Sequence, residues 1–141
     1  MCGICGIYNK SSSEISEDRI IKMRDIMYSR GPDDAGVYVG EHIGLGHRRL
    51  SIIDLTVAGH QPMTNADKTI WMVFNGEIYN FKDLRKKLEE LGHVFKSRTD
   101  CEVVIHGYEE WGENVFKNLN GMFGVAIWDA NKNNLIHNCT Y

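Results

Sequence analysis

The apolar residues of this chain fall into short runs, and most of those runs have the length and content of strands. IWMVF at 70–74 and MFGVAIW at 122–128 are the strongest. CGICGIY at 2–8, GVYVG at 36–40, IGLGH at 43–47 and LSII at 50–53 are further strand-like runs closed off by turn residues. Helical spacing occurs between them. Ser16 is placed to cap a helix over 17–28, with Glu17 and Asp18 in its first turn and Ile20, Met23 and Met27 along one face, until Gly31-Pro32 breaks it. Asn80 can cap a second helix carrying Phe81, Leu84, Leu88 and Leu91 as far as Gly92. Asp100 can cap a third, with Val103, Val104, Tyr108 and Trp111 inward and Gly112 at its end. A short helix is expected at 113–118, loops at Ser11–Ser13 and 58–65, and turns at Asn75-Gly76 and 129–134. Amphipathic helices need an apolar surface to cover, and the strands supply one. The expected fold is a layered α+β protein.

With 141 residues the chain makes one domain, 1–141, and can bury enough surface to hold together without disulfides. Net charge is −3 with the basic residues scattered, which leaves no footprint for nucleic acid or an anionic membrane. No apolar run approaches the roughly 18 residues of a membrane span, and no secretory signal opens the chain. Four cysteines in this setting read as reduced thiols, and the expected location is the cytoplasm.

Four stretches carry candidate chemistry. Cys2 follows the initiator methionine, so removal of Met1 would put an α-amine of pKa roughly 7.7–8.0 beside the thiol, a base able to activate a sulfur nucleophile. On position alone, the favoured reading of Cys2 is a small apolar residue opening a strand. Cys2 and Cys5 form a CxxC pair, but Cys101 and Cys139 stand alone. A zinc site would need a second pair, and strand alternation sends residues 2 and 5 to opposite faces. Arg48 and Arg49 open an apolar stretch; alternation turns one inward and one outward, and an inward arginine requires an anion such as a carboxylate. Asn75-Gly76 is a hairpin signal, yet a side-chain amide beside an unhindered glycine N–H also makes an oxyanion hole. Asp100 is a good N-cap, and a partly buried carboxylate there could equally bind an ammonium group.

Taken together and in this order, these stretches resemble the class II glutamine amidotransferase domain of glutamine-hydrolysing asparagine synthetases, within the N-terminal-nucleophile hydrolases. The matching residues are Cys2-Gly3-Ile4, RGPDDAG at 30–36, GHRRLSIIDL at 46–55, QPM at 61–63, VFNGEIYNF at 73–81, TDCEV at 99–103 and LNGMFGVAIWD at 119–129. The resemblance implies a four-layer αββα sandwich of antiparallel sheets. It is expected to be incomplete at the C-terminus, because the NNLIHNCTY ending lacks the family's further strand, leaving an open sheet edge.

The resemblance also implies roles. Cys2 is the nucleophile and its freed amine the base, while Asn75 and Gly76 hold the oxyanion. Arg49 takes the α-carboxylate of L-glutamine, with Arg48 as bystander. Asp100 and Glu77 take the α-ammonium, and the backbone of Leu50, Ser51, Ile52 and Ile53 lines the pocket. The implied reaction is hydrolysis of glutamine to glutamate and ammonia for amide synthesis. No metal or cofactor is implied in this domain; ATP and Mg would belong to a synthetase domain, whose SGGxDS-type loop the sequence lacks. The implied partners are glutamine and a synthetase domain or subunit receiving ammonia, and a homo-oligomer is compatible. The competing reading is a truncated, non-catalytic remnant that keeps the fold and binds glutamine or glutamate.

Overall fold

A computed structural model describes residues 1–11 and 13–140; Ser12, in the middle of the expected polar loop, and Tyr141 lie outside the described residues. Its first sheet has the order β1 (Gly3–Tyr8), β3 (Ile43–Arg49), β2 (Asp34–Val39), with both pairings antiparallel. Its second has the order β4 (Met63–Thr64), β5 (Ile70–Ile78), β6 (Gly121–Asp129), β7 (Asn134–Cys139), again antiparallel throughout. Helix α1 (Glu17–Asp25) covers the outer face of the first sheet, burying Ile20 completely. Helices α2 (Phe81–Glu90) and α3 (Glu102–Trp111) cover the outer face of the second sheet, where Leu88, Val104 and Ile105 meet Met72, Phe74 and Ile127. Between the sheets Ile43 and Leu45 pack on Val73 and Trp128, and the rings of Tyr38 and Trp71 stack at 3.9 Å. The result is the four-layer αββα arrangement. No helix among the described residues is long and apolar enough to cross a membrane.

Most expected elements are present, several with shifted ends. The helix expected over 17–28 stops at Asp25, and Tyr28–Arg30 form a separate 3-10 turn. The run 50–53 is no strand. β3 ends at Arg49, the Ser51 amide donates to the Asp33 carboxylate at 2.8 Å instead of to a neighbouring strand, and Ile52 is 73% exposed. Asn75-Gly76 forms no turn. β5 runs through it, pairing Asn75 with Gly124 and Gly76 with Phe123. Gly76 has φ +145, and a Cβ there would collide with the Met122 carbonyl and lie 2.5 Å from Phe123 Cα. Glycine is required here for the close approach of β6, not for a reversal of the chain.

Two more expectations need correction. Asp100 does not cap α3, since Cys101 holds the N-cap position and the Asp100 carboxylate accepts the Ile78 amide at 2.7 Å. Alternation does send Arg48 and Arg49 to opposite faces of β3, yet neither faces solvent. Arg49 points between the sheets. Arg48 points to the α1 side, where its guanidinium lies 4.5 Å over the Tyr28 ring and 3.8 Å from Asp25. The NNLIHNCTY ending, expected to lack a further strand, instead supplies one: β7 pairs with β6 over six positions, and β7 in turn has no second neighbour among the described residues.

Candidate active site

β1 begins where β3 ends, and β5 ends where β6 begins, so four strand termini meet at one end of the two sheets. There they enclose a cavity of about 340 Å³, within the usual range for small-molecule sites. Of the expected site residues, Cys2, Arg49, Leu50, Ile52, Ile53, Asn75, Gly76, Glu77 and Asp100 line it. Ser51 does not; its amide is turned away to Asp33. Met1 stands at the rim and is 72% exposed.

Cys2 continues β1 toward the face that carries Ile4, while Cys5 packs on the α1 side beside Gly46. The two thiols therefore lie on opposite faces and form no metal or redox pair. The Leu50 amide donates to the Cys2 sulfur at 3.4 Å, and the Cys2 carbonyl accepts from Arg30 Nε at 3.1 Å. These contacts pin the strand's first residue at the cavity wall.

Arg49 is built in from the opposite strand. Its Nη1 donates to the Thr56 carbonyl at 2.8 Å and its Nη2 to the Asp54 carbonyl. No carboxylate lies within ion-pair distance of it among the described residues. Gly59 packs directly on the guanidinium, where any side chain would collide with it. The Asp54 carboxylate organises the supporting loop, accepting the Thr56 amide and hydroxyl at 2.8 and 2.7 Å and the Arg98 amide at 2.8 Å. Those bonds, the Arg98 amide foremost, hold the Asp54 carboxyl at about 2. The cavity thus contains a buried cation with spare hydrogen-bonding capacity and no counter-charge at contact distance.

Asp100 is buried, and burial raises its pKa; the Ile78 amide opposes the shift, and the nearby Glu77 charge adds to it. A carboxylate destabilised in this way gains most from an incoming cation. Asn75 presents a side-chain amide whose Oδ1 is buried without a hydrogen-bond partner, a group that a ligand or a turn of the amide can satisfy.

Several wall residues carried no individual mark in the sequence. Gln61 is buried, takes the Phe74 amide on Oε1 at 2.6 Å and lies with Nε2 3.8 Å from the Cys101 sulfur. Cys101 itself is buried, and burial pushes its thiol up to about 12, so it remains protonated. Asp54, Gly59, Phe74, Tyr79, Thr99 and Met122 complete the wall. The signal for Gln61 was the QPM motif at 61–63; Asp54, Phe74, Tyr79, Thr99, Cys101 and Met122 also lie within the matching stretches without being singled out, and Gly59 alone falls outside them.

The sequence profile of the family described as "Glutamine amidotransferase domain" matches residues 1–138. The chain is 46% identical over 136 residues to asparagine synthetase [glutamine-hydrolyzing] 2 of Bacillus subtilis (strain 168), covering 94% of this chain and 18% of that protein. It is 42% identical over 137 residues to asparagine synthetase [glutamine-hydrolyzing] 2 of Arabidopsis thaliana, covering 96% of this chain and 23% of that one. The chain therefore spans about a fifth of the length of these curated relatives. Among solved structures, glutamine phosphoribosylpyrophosphate amidotransferase from B. subtilis, complexed with ADP and GMP, superposes with a TM-score of 0.72 over 92% of this chain and 35% of its own. At 17% identity this likeness shows the fold alone, the four-layer arrangement described above.

Proposed function

The chain belongs to the glutamine amidotransferase domain family, and from that premise we propose that its cavity hydrolyses L-glutamine to L-glutamate and ammonia through a thioester on Cys2. The observation that carries this reading is the union, in one cavity, of Cys2, the Asn75-Gly76 pair, the unpaired Arg49 guanidinium and the buried Asp100 carboxylate. Glutamine has two charges at one end and a carboxamide three carbons away. A fixed cation and anion select the zwitterionic end, and the sulfur meets the carboxamide.

Removal of Met1 leaves the Cys2 α-amine as the base. It takes the thiol proton as sulfur bonds to the carboxamide carbon. The Asn75 side-chain amide and the Gly76 N–H stabilise the negative oxygen of the tetrahedral species. Collapse breaks the carbon–nitrogen bond, the α-ammonium returns the proton, and ammonia leaves. Water then cleaves the thioester, releasing glutamate and the free thiol. The ammonia is destined for amide synthesis on a synthetase domain or subunit, as the names of the asparagine synthetases imply for those relatives, and the setting we propose is the cytoplasm.

The test is ammonia release from glutamine by protein whose N-terminus has been defined by mass spectrometry. Chains starting at Cys2 should be active, Cys2→Ala inactive, and Asn75→Ala slower by roughly 10²–10³-fold. Glutamine binding without turnover by chains starting at Cys2 would favour the non-catalytic reading instead.

A further inference from the structure

Outside the cavity, three side chains converge in a way the glutamine chemistry does not use. His93 sits in the loop after α2, and His106 and Glu109 lie one turn apart on α3. Nδ1 of His106 is 3.1 Å and Nδ1 of His93 3.7 Å from the same oxygen, Glu109 Oε2. Each of the three residues offers a donor atom within 4.8 Å of the other two. A tetrahedral zinc ion with bonds of 2.0–2.2 Å holds its ligand atoms about 3.4 Å apart, so small side-chain adjustments bring these to bonding distance.

The atoms turned away from this point are held as well. Nε2 of His93 meets Glu110 Oε2 at 2.9 Å, and Nε2 of His106 lies 3.5 Å from Glu102 Oε1. The second oxygen of Glu109 accepts from Asn65 Nδ2 at 3.0 Å. The His106 ring is further fixed between the Phe95 ring, at 4.5 Å, and the His93 ring, at 5.2 Å. Imidazole with a carboxylate on its far nitrogen is the arrangement that fixes ring orientation and raises ligand basicity at metal centres. Hydrogen bonding accounts for His106 Nδ1 on Glu109 Oε2 at 3.1 Å, but His93 Nδ1, aimed at the same oxygen from 3.7 Å, lies beyond hydrogen-bond distance of it. A single cation satisfies all three donors at once.

We propose that His93, His106 and Glu109 form a three-ligand site for a divalent transition-metal ion of the zinc class, with the fourth position open to water. The donor set, two imidazoles and a carboxylate, suits zinc and its neighbours and not calcium or magnesium, which prefer all-oxygen shells. The ion would clamp the loop after α2 onto α3, outside the cavity and independently of glutamine turnover.

The test is a calorimetric titration of the full chain with zinc alone, run in a Cys2→Ala/Cys139→Ala background so that accessible thiols do not contribute. One equivalent should bind, and the thermal midpoint should rise with zinc and fall back with a chelator. Cobalt should give a tetrahedral visible spectrum without sulfur charge-transfer bands. His93→Gln and His106→Asn should each abolish binding. Glu110→Gln removes only the outer partner of His93; it should weaken binding roughly 10- to 100-fold with the far-UV spectrum unchanged. Absence of zinc binding in the background protein, or binding untouched in folded His93→Gln, would overturn the proposal.

Discussion

The Arg49 guanidinium owes its position to two backbone carbonyls and a glycine, and the loop that offers them is held by Asp54. In the proposed reaction its forked geometry matters, because one planar group must satisfy two carbonyls and still meet the α-carboxylate of glutamine. A lysine in the same place donates from one nitrogen and cannot span the two carbonyls and the carboxylate as the planar fork does. Arg49→Lys is therefore expected to raise KM for glutamine about tenfold or more, equivalent to about 1.4 kcal/mol, with kcat largely retained. In glutamine the α-carboxylate lies far from the reacting carbon, so the proposed contact with Arg49 would be the same in ground and transition states. Steady-state kinetics decide this, and a fall in kcat at constant KM would move Arg49 to the reacting end. From residues alone, the HRR stretch left open which arginine turns inward; alternation separated the two correctly but could not reveal that α1 buries the other. Asp54 lies in the matching GHRRLSIIDL stretch but had no role assigned there, and Gly59 carried no signal at all, because the importance of both lies in what they hold once the loop is folded against β3.

At the scale of elements, β5 and α3 show local preference yielding to tertiary contact. Asn-Gly favours a tight turn in isolation, yet nine consecutive pairs with β6 carry β5 straight through it. The register also places Asn75 and Gly76 at the cavity. The helices were legible because their apolar spacing is dictated by the sheet they cover. The start of α3 was not, because the carboxylate that organises it is Glu102, not Asp100. Glu102 accepts the Lys96 amide at 2.7 Å, the Ser97 amide at 2.8 Å and the Ser97 hydroxyl at 2.5 Å, which ties the segment before the helix to its first turn. Burial alone would raise its pKa; the bonds from His106, Lys96 and Ser97 outweigh that and bring it from 4.5 to about 2. A carboxyl depressed on folding contributes stability fully above 4.5 and loses it as pH falls from 4.5 to about 2. Glu102→Gln should thus cost about 2 kcal/mol near neutral pH and flatten the acid limb across that window. Urea midpoints measured along the pH series check both, and parallel curves for the two proteins would contradict the assignment.

Over the whole molecule, the cavity belongs to neither sheet. Cys2 and Arg49 come from the first, Asn75 and Gly76 from the second, so the spacing between sheets sets the distance between the proposed nucleophile and its oxyanion donors. That spacing is maintained by the inner layer of Ile43, Leu45, Val73 and Trp128 and by the contact of His47 Nε2 with the Phe74 carbonyl at 3.1 Å. Burial lowers the His47 pKa to about 4, which keeps this inter-sheet contact neutral under ordinary conditions. The outer layer under α2 and α3 is larger and contributes to stability, but it does not lie between the two halves of the site. Leu45 and Leu88 are both essentially fully buried, one in each layer. Each leucine-to-alanine change should cost about 2–5 kcal/mol, visible as a lower urea midpoint. Their effects on turnover should diverge. Leu45→Ala leaves a void between the sheets and should reduce kcat at temperatures where the protein is still folded, whereas Leu88→Ala should leave kcat near that of the wild type. Equal losses of kcat in the two variants would mean that sheet spacing is set elsewhere, and that the two-sheet construction of the site has no mechanical consequence for the reaction.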